Sequence, residues 1–361
     1  MFERIWKKII RREKFSLWAV PALCLWLCSF AYRLIVFLNR KFSSTLVHVK
    51  KPVISIGNIT VGGTGKTTTV MFIAKTLMQE GYRVGIVSRG YGRTKKNDII
   101  EESYKLISRN PSEIGDEVLF LAKHLTDAVF SISESKSQAV KNLDEQFDVD
   151  VVIVDDAFQH FNLYRDIDII TYDAAVDDNL MKMFPYGILR EPKSSIKRAD
   201  IIIITRTKFH KNINELKNQI ESLNPNADLY LASFAATEII SEKQTLPVKY
   251  LEDKSVLIFA GIGNFRAFQR QAQALCADID EALEFSDHQI YDNKLLKHIK
   301  LLADKYDSDL ILTTGKDLVK IENFDFGRDL YYLNQVIDLD PGEERLIDKL
   351  EKKLNLKKAK S

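Results

Sequence analysis

One stretch constrains this chain more than any other: Ser55 to Thr68, Ser-Ile-Gly-Asn-Ile-Thr-Val-Gly-Gly-Thr-Gly-Lys-Thr-Thr. An apolar run from Pro52 to Ile56 enters it, and an apolar-periodic segment from Thr67 to Met78, free of Pro and Gly, leaves it. The order is therefore strand, glycine-rich loop, helix. That is the context in which backbone N–H groups wrap a polyphosphate at a helix N-terminus. The phosphate-binding residues are Thr60, Val61, Gly62, Gly63, Thr64, Gly65, Lys66 and Thr67, with Thr60 where the G-x-x-x-x-G-K-[ST] pattern has its first glycine. Lys66 is placed to reach the β- and γ-phosphates of a bound nucleotide, and the Thr67 hydroxyl to ligate Mg²⁺.

Around this loop the chain reads as a doubly wound parallel α/β sheet of the P-loop NTPase type. Short apolar runs alternate with helical segments, at Arg83 to Val87, Val129 to Ser133, Val151 to Val154, Ile167 to Tyr172, Ile201 to Thr205 and Leu229 to Phe234. The run Val151 to Val154 ends directly in Asp155 and Asp156, the position from which a carboxylate emerges beside a phosphate loop and holds Mg²⁺. Thr94 to Ser103 reads as a surface loop, and the polar stretch Thr237 to Asp253 as a domain boundary. Beyond it, Ser255 to Ala260 and Leu310 to Leu312, with helices after them, form a second, smaller α/β domain. The expected division is 1–42, 43–246 and 247–361.

The first of these segments is a membrane candidate. Leu17 to Leu38 is twenty-two residues interrupted only by Arg33 and one Pro, long enough to reach the bilayer. Six Lys or Arg against two Glu lie between Met1 and Lys14, and Arg40 and Lys41 follow the apolar part. Basic flanks on both sides give no inside-outside asymmetry, and a single crossing would part the amino terminus from the nucleotide site. We expect a helix lying in or dipping into the inner leaflet, a monotopic arrangement that keeps every basic group near anionic lipid headgroups. The lysine-rich tail from Lys352 to Lys358 reads as a solvated helix end.

Overall charge says little: 52 basic and 50 acidic residues nearly cancel, so nucleic acid is not an expected partner. Three cysteines, at positions 24, 28 and 276, make neither a disulfide framework nor a metal set. Three classes remain for a phosphate loop on a membrane-associated α/β chain. A partitioning-type switch ATPase carries a lysine before its Gly-Gly pair, where Val61 stands here. A GTPase needs an Asn-Lys-x-Asp guanine reader, which Thr205-Arg206-Thr207-Lys208 does not supply. A small-molecule kinase with a membrane-resident acceptor is the third.

The ordered motifs favour the third. Thr60 to Thr67 preceded by Gly57-Asn58, then Ser88-Arg-Gly-Tyr-Gly92, Gly115-Asp-Glu117, Asp155-Asp-Ala-Phe-Gln-His160, Leu189-Arg-Glu-Pro192, Ala260-Gly-Ile-Gly-Asn264, Asp287-His288 and Lys316-Asp317 follow one another as in the tetraacyldisaccharide 4′-kinases, the lipid A kinases of Gram-negative bacteria. The chain resembles this family from its apolar helix to about Lys320. Thr68, Ala157 and Gly315 stand where that family usually has Pro, Gly and Glu.

The resemblance implies ATP-dependent phosphorylation of the 4′-hydroxyl of a tetraacylated glucosamine disaccharide 1-phosphate, giving lipid IVA. It implies Asp116 as the base, Glu117 near the metal, His288 as a relay or orienting group, and Glu191 beside Thr67, Asp155 and Asp156 around Mg²⁺. Arg89, Tyr91 and Arg93 are candidates for the acceptor's phosphate or sugar. A monomer is expected.

Overall fold

The computed structural model describes residues 2–12, 18–43, 46–321 and 324–356, so Leu17 and the ends of the two basic tails lie outside it. Two compact units emerge, each assembled from separated stretches. The first draws on Met1–Lys66, Lys136–Ser233 and Leu339–Ser361, the second on Thr67–Ser135 and Phe234–Asp338. Sequence reading divides the chain linearly at 42 and 246, whereas these units interleave along it.

In the first unit the strand Val53–Gly57 lies between Val151–Asp155 and Ile167–Asp173, parallel to both. Ile201–Thr205 follows beside Ile167–Asp173, and the first residues of Asp228–Ile240 beside that. Every residue of the first four strands is buried. This is why Val151 to Val154 and Ile201 to Thr205 read as unbroken β-branched runs, since a parallel strand covered on both faces has no polar side to alternate with. Leu216 and Ile220 of the helix Ile213–Leu223 pack with Ile170, Ile202, Ile204 and Phe158. Each such side chain contributes about 1.5–3 kcal/mol by leaving water. All strands deliver their carboxyl ends to one edge, where the chain turns at Gly57, Asp155, Asp173 and Thr205.

Two helices open the chain. Phe2–Ile10 is followed by Ala19–Lys41, 23 residues, long and apolar enough to cross a membrane, of which only Ala22 and Ser29 are buried. Both are tethered to one loop. The Trp6 indole N–H donates to the Pro185 carbonyl at 2.7 Å, Arg12 donates to the Tyr186 hydroxyl at 3.2 Å, and the rings of Trp6 and Tyr32 lie 5.6 and 5.3 Å from Phe184. The same loop then binds the phosphate loop by backbone bonds, Val61 N–H to Ile188 O at 2.7 Å and Arg190 N–H to Ile59 O at 2.8 Å.

In the second unit Val84–Ser88 pairs parallel with Val129–Ile132, which pairs antiparallel with Ile99–Glu102. The last strand falls inside the stretch expected as a surface loop; its two isoleucines pair at an edge while its glutamates stay half-exposed. Ser255–Ala260 runs parallel to Asp278–Glu284 and Leu310–Thr313. Successive side chains point to opposite faces. Val256, Ile258 and Ala260 therefore pack on Phe265–Gln273, and Leu257 and Phe259 on Asn293–Tyr306. Asn264 and Asp292 cap these helices, accepting from Ala267 N–H at 3.2 Å and Leu295 N–H at 2.8 Å. The expected boundary stretch holds a β-hairpin instead, with Ile239 opposite Leu246 and fully buried.

Candidate active site

The phosphate loop is pinned from inside by polar side chains. Asn58, fully buried, donates to the Thr64 hydroxyl at 3.0 Å, and Thr64 shares a 2.7 Å hydrogen bond with Thr171. Thr205 donates to the Thr64 carbonyl at 3.0 Å and Arg206 to the Gly63 carbonyl at 2.8 Å. Gly62 and Gly65 take φ of 113° and 88°, a conformation that side chains resist, and nothing lies within 4 Å of where a Cβ on Gly62 or Gly63 would sit. The loop is thus rigid behind and open in front, as a polyphosphate cradle requires.

Lys66 opens the helix Lys66–Gln79 and faces Asp156 at 3.5 Å. Asp156 sits in left-handed backbone, φ 51°, just past the strand end. One Arg190 guanidinium nitrogen donates to both of its oxygens at 2.9 Å, and buried Lys136 donates to its carbonyl at 2.5 Å. Burial alone would raise the Asp156 pKa, but Lys66, Arg190 and Lys136 hold it far below the usual carboxylate range. Burial in turn lowers the Lys136 ammonium. Asp155, also buried, ends the strand opposite Ile56. Glu191 is 1 % exposed and bound on both oxygens: Arg198 donates to them at 2.7 and 2.8 Å, and Gln159 at 2.9 Å. Sequence reading sets Glu191 beside the metal; here its carboxylate is spent inside an ion pair over the ring of Phe158, 4.2 Å from the Arg198 guanidinium.

Within the second unit a different cluster gathers around Asp116. This residue begins the helix Asp116–His124 and accepts from the Glu117 N–H at 2.9 Å. Its carboxylate lies 2.9 and 3.2 Å from His288 Nδ1 and 3.7 Å from Lys320 Nζ. Burial raises the Asp116 pKa, but the His288 hydrogen bond and the charges of His288, Lys320 and Lys316 outweigh it and keep the carboxylate ionised. Burial lowers that of His288, and its bond to Asp116 more than reverses this.

Glu117 forms an ion pair with Lys316, and its Oε1 accepts from the Thr67 hydroxyl at 3.4 Å. The Tyr91 ring lies 4.5 Å from that of His288. Gly115, at φ 95°, permits this: a Cβ there would meet the Tyr91 carbonyl at 2.9 Å. Arg93, by contrast, is turned inward and donates to the Asn97 carbonyl at 2.6 Å, holding its own turn.

The geometry therefore brings Lys66 to Asp156, and Thr67 to Glu117, and Asp116 to His288. Lys136, Arg190, Arg198, Lys316 and Lys320 are cations of these clusters to which the sequence gives no role. Arg190 and Lys316 fall inside quoted motifs, while a lone lysine at a helix start, like Lys136, carries no local signal.

A Mg²⁺ ion needs hard oxygen donors, often only one or two from protein beside phosphate oxygens and water. Among the described residues no three His, Cys, Asp or Glu side chains cluster as a metal cage. The Thr67 hydroxyl and Glu117 carboxylate, neighbours at 3.4 Å, fit that sparser donor set. Asp156, ringed by three cations, fits it less well.

A parallel sheet whose strand ends in a rigid glycine loop, followed by Lys-Thr at a helix start, defines a phosphate-loop nucleotide-binding protein. Residues 21–355 match the family described as tetraacyldisaccharide-1-P 4′-kinase, and the chain belongs to it. It is similar to tetraacyldisaccharide 4′-kinase of Halothermothrix orenii, 33 % identical over 316 residues covering 81 % of each chain. It is also similar to that of Geobacter sulfurreducens, 32 % identical over 326 residues, 88 % of this chain and 89 % of the relative. A crystal structure of LpxK from Aquifex aeolicus in complex with ATP superposes with a TM-score of 0.73 at 26 % identity, covering 92 % of this chain and 99 % of that one.

Proposed function

We propose that this chain transfers the γ-phosphoryl group of ATP to the 4′-hydroxyl of a tetraacylated glucosamine disaccharide 1-phosphate, giving lipid IVA. The observation that carries the reading is the pairing of Asp116 with His288 at 2.9 Å on a chain whose phosphate loop ends in Lys66 and Thr67. A sugar hydroxyl is a weak acid, so its attack on phosphorus needs a base within hydrogen-bond reach. Asp116 takes that proton as the new O–P bond forms and the bond to the β,γ-bridging oxygen breaks, releasing ADP. His288 fixes the carboxylate by donating from Nδ1. The loop amides and Lys66 bind the phosphates, and Arg190 holds Asp156 beside Lys66.

Thr67 and Glu117 would hold Mg²⁺, which when bound neutralises phosphate charge. Glu191 we assign to support: through Gln159, which also donates to the Asn58 carbonyl at 2.9 Å, it braces the residue that pins the loop. Tyr91 and Arg89 face the acceptor in this reading.

We further propose that residues 1–42 seat the enzyme on the cytoplasmic face of the inner membrane, that 43–246 and 247–361 serve as nucleotide-binding and smaller domains, and that the chain acts as a monomer. Val20, Leu23, Leu27, Phe30, Leu34 and Phe37 are exposed along the apolar helix, and each buried CH₂ of a four-chain lipid holds it in the bilayer by about 0.8 kcal/mol. A monotopic placement is favoured because Trp6 and Tyr32, one on each helix, contact the same Phe184 ring.

The test is transfer of label from γ-³²P-ATP to the purified lipid in micelles. Labelled lipid from the intact chain, lost in Asp116→Ala, supports the reading. ATP hydrolysis without labelled lipid overturns it.

A further inference from the structure

Asp317 is completely buried, and its carboxylate collects three hydrogen bonds and one ion pair. Oδ2 accepts from the Thr314 hydroxyl at 2.6 Å and the Gly261 N–H at 3.1 Å; Oδ1 accepts from the Tyr291 hydroxyl at 3.0 Å and lies 2.8 Å from Lys320 Nζ. A buried charge is retained only when its partners satisfy it, and one this fully engaged fixes the position of each of them.

Two of those partners lead to the same place. Lys320, itself one-tenth exposed, has its ammonium 3.7 Å from Asp116 Oδ2 and 5.2 Å from the centre of the Tyr291 ring. Gly261 accepts from the His288 N–H at 3.2 Å, and a side chain at Gly261 would collide with Gln289 Cβ at 2.7 Å and the Ser286 carbonyl at 2.8 Å. His288 is in left-handed backbone, φ 56°, which a non-glycine residue adopts only when its surroundings impose it.

We propose that Asp317 is the positioning residue of this site: one buried carboxylate sets both the Lys320 ammonium and, through Gly261, the His288 turn against Asp116. The assignment rests on Asp116 being the base and deepens that reading. Asp317 touches no reacting atom; it acts by holding two groups that touch the base. Lys320 supplies a fixed positive charge where the proton-accepting carboxylate sits, and His288 supplies its orientation.

The test uses the full-length chain with ATP and the disaccharide lipid in micelles. Asp317→Asn keeps the shape and removes the charge. Its kcat is expected to fall about a hundredfold, the scale of an ångström's misplacement, with KM for ATP unchanged. Lys320→Met should reproduce part of that loss and Lys320→Arg restore most of it. In an Asp116→Asn background, single-turnover rates should drop no further when Asp317→Asn is added, because the group being positioned is gone.

A second measurement does not depend on turnover. In histidine ¹⁵N NMR, the His288 Nδ1 signal, assigned with His288→Gln, should move in Asp317→Asn and stay in place in Asp304→Asn, a surface control. Should Asp317→Asn fold poorly, Tyr291→Phe, which removes one donor, is expected to move the same signal. Wild-type kcat in Asp317→Asn and Lys320→Met, an equal further loss in the Asp116→Asn background, or an unmoved His288 signal would each overturn the proposal. Failure of the wild-type chain to label lipid would instead strike the kinase reading, leaving the NMR result to decide this one.

Discussion

Asp116 Oδ2 and His288 Nδ1 lie 2.9 Å apart although 172 positions separate them in the chain. The pair sits in one compact unit, with the Tyr91 ring against the imidazole and Lys320 beside the carboxylate. An ionised carboxylate held by a donor at each oxygen is a base ready in one orientation.

Replacing Asp116 by Asn should therefore cut kcat by at least about a hundredfold, the lower end of what a general base contributes. His288→Ala should cost less, about tenfold or more, because the carboxylate remains and only its orientation is lost. Neither change touches the phosphate loop, so nucleotide affinity by equilibrium titration should match the parent. A loss of ATP binding in parallel with kcat would place the pair in nucleotide recognition instead.

Glu191→Gln separates a supporting role from a metal-holding one. The change strands the Arg198 guanidinium in a buried site, and breaking a buried pair from one side costs about 3–5 kcal/mol. The melting temperature should fall steeply, with the same fall in the presence and absence of Mg²⁺. If thermal stability is untouched and only the Mg²⁺ dependence of turnover changes, Glu191 is a metal ligand.

Gly115→Ala tests the strained corner beneath Tyr91. At φ 95°, with the Tyr91 carbonyl 2.9 Å from the added methyl, the substitution should destabilise by about 1–3 kcal/mol. Chemical denaturation would read this directly. A neutral result would mean that the 90–91 turn yields easily.

His124 gives a dependence of stability on pH. Burial lowers its pKa, and its ring accepts from the Tyr332 hydroxyl at 2.8 Å while Nδ1–H donates to the Phe120 carbonyl at 2.8 Å, an arrangement for neutral imidazole. The unfolded chain takes up the proton near pH 6.5, before the folded one does. The contribution is thus present above about pH 6.5 and is lost as pH falls through the folded pKa. His288, raised by its bond to Asp116, works in the opposite sense. The comparison to make is parent minus His124→Gln between pH 7.5 and 5.5, where the difference in unfolding free energy should shrink on acidification. A constant difference would refute it.

What consecutive residues determine, the sequence made legible. Strand, glycine loop and Lys-Thr helix start are one contiguous signal, and the parallel strands announce themselves because burial on both faces demands unbroken apolar runs, as in Ile201–Thr205. The strand Asp278–Glu284 escaped because four of its seven residues are acidic and its apolar ones do not alternate regularly with them, so only pairing with Ser255–Ala260 makes it a strand. The Leu189-Arg-Glu-Pro192 motif does not tell which partner Glu191 takes; in the fold Arg198 donates to both its oxygens. Tertiary structure alone decided which cation serves which carboxylate: Arg190 and Lys66 with Asp156, Lys316 with Glu117, Lys320 and His288 with Asp116. The reason is physical. A backbone turn or a buried strand is specified by its neighbours in the chain, whereas an ion pair is specified by distance in space, and that exists only once the core has closed.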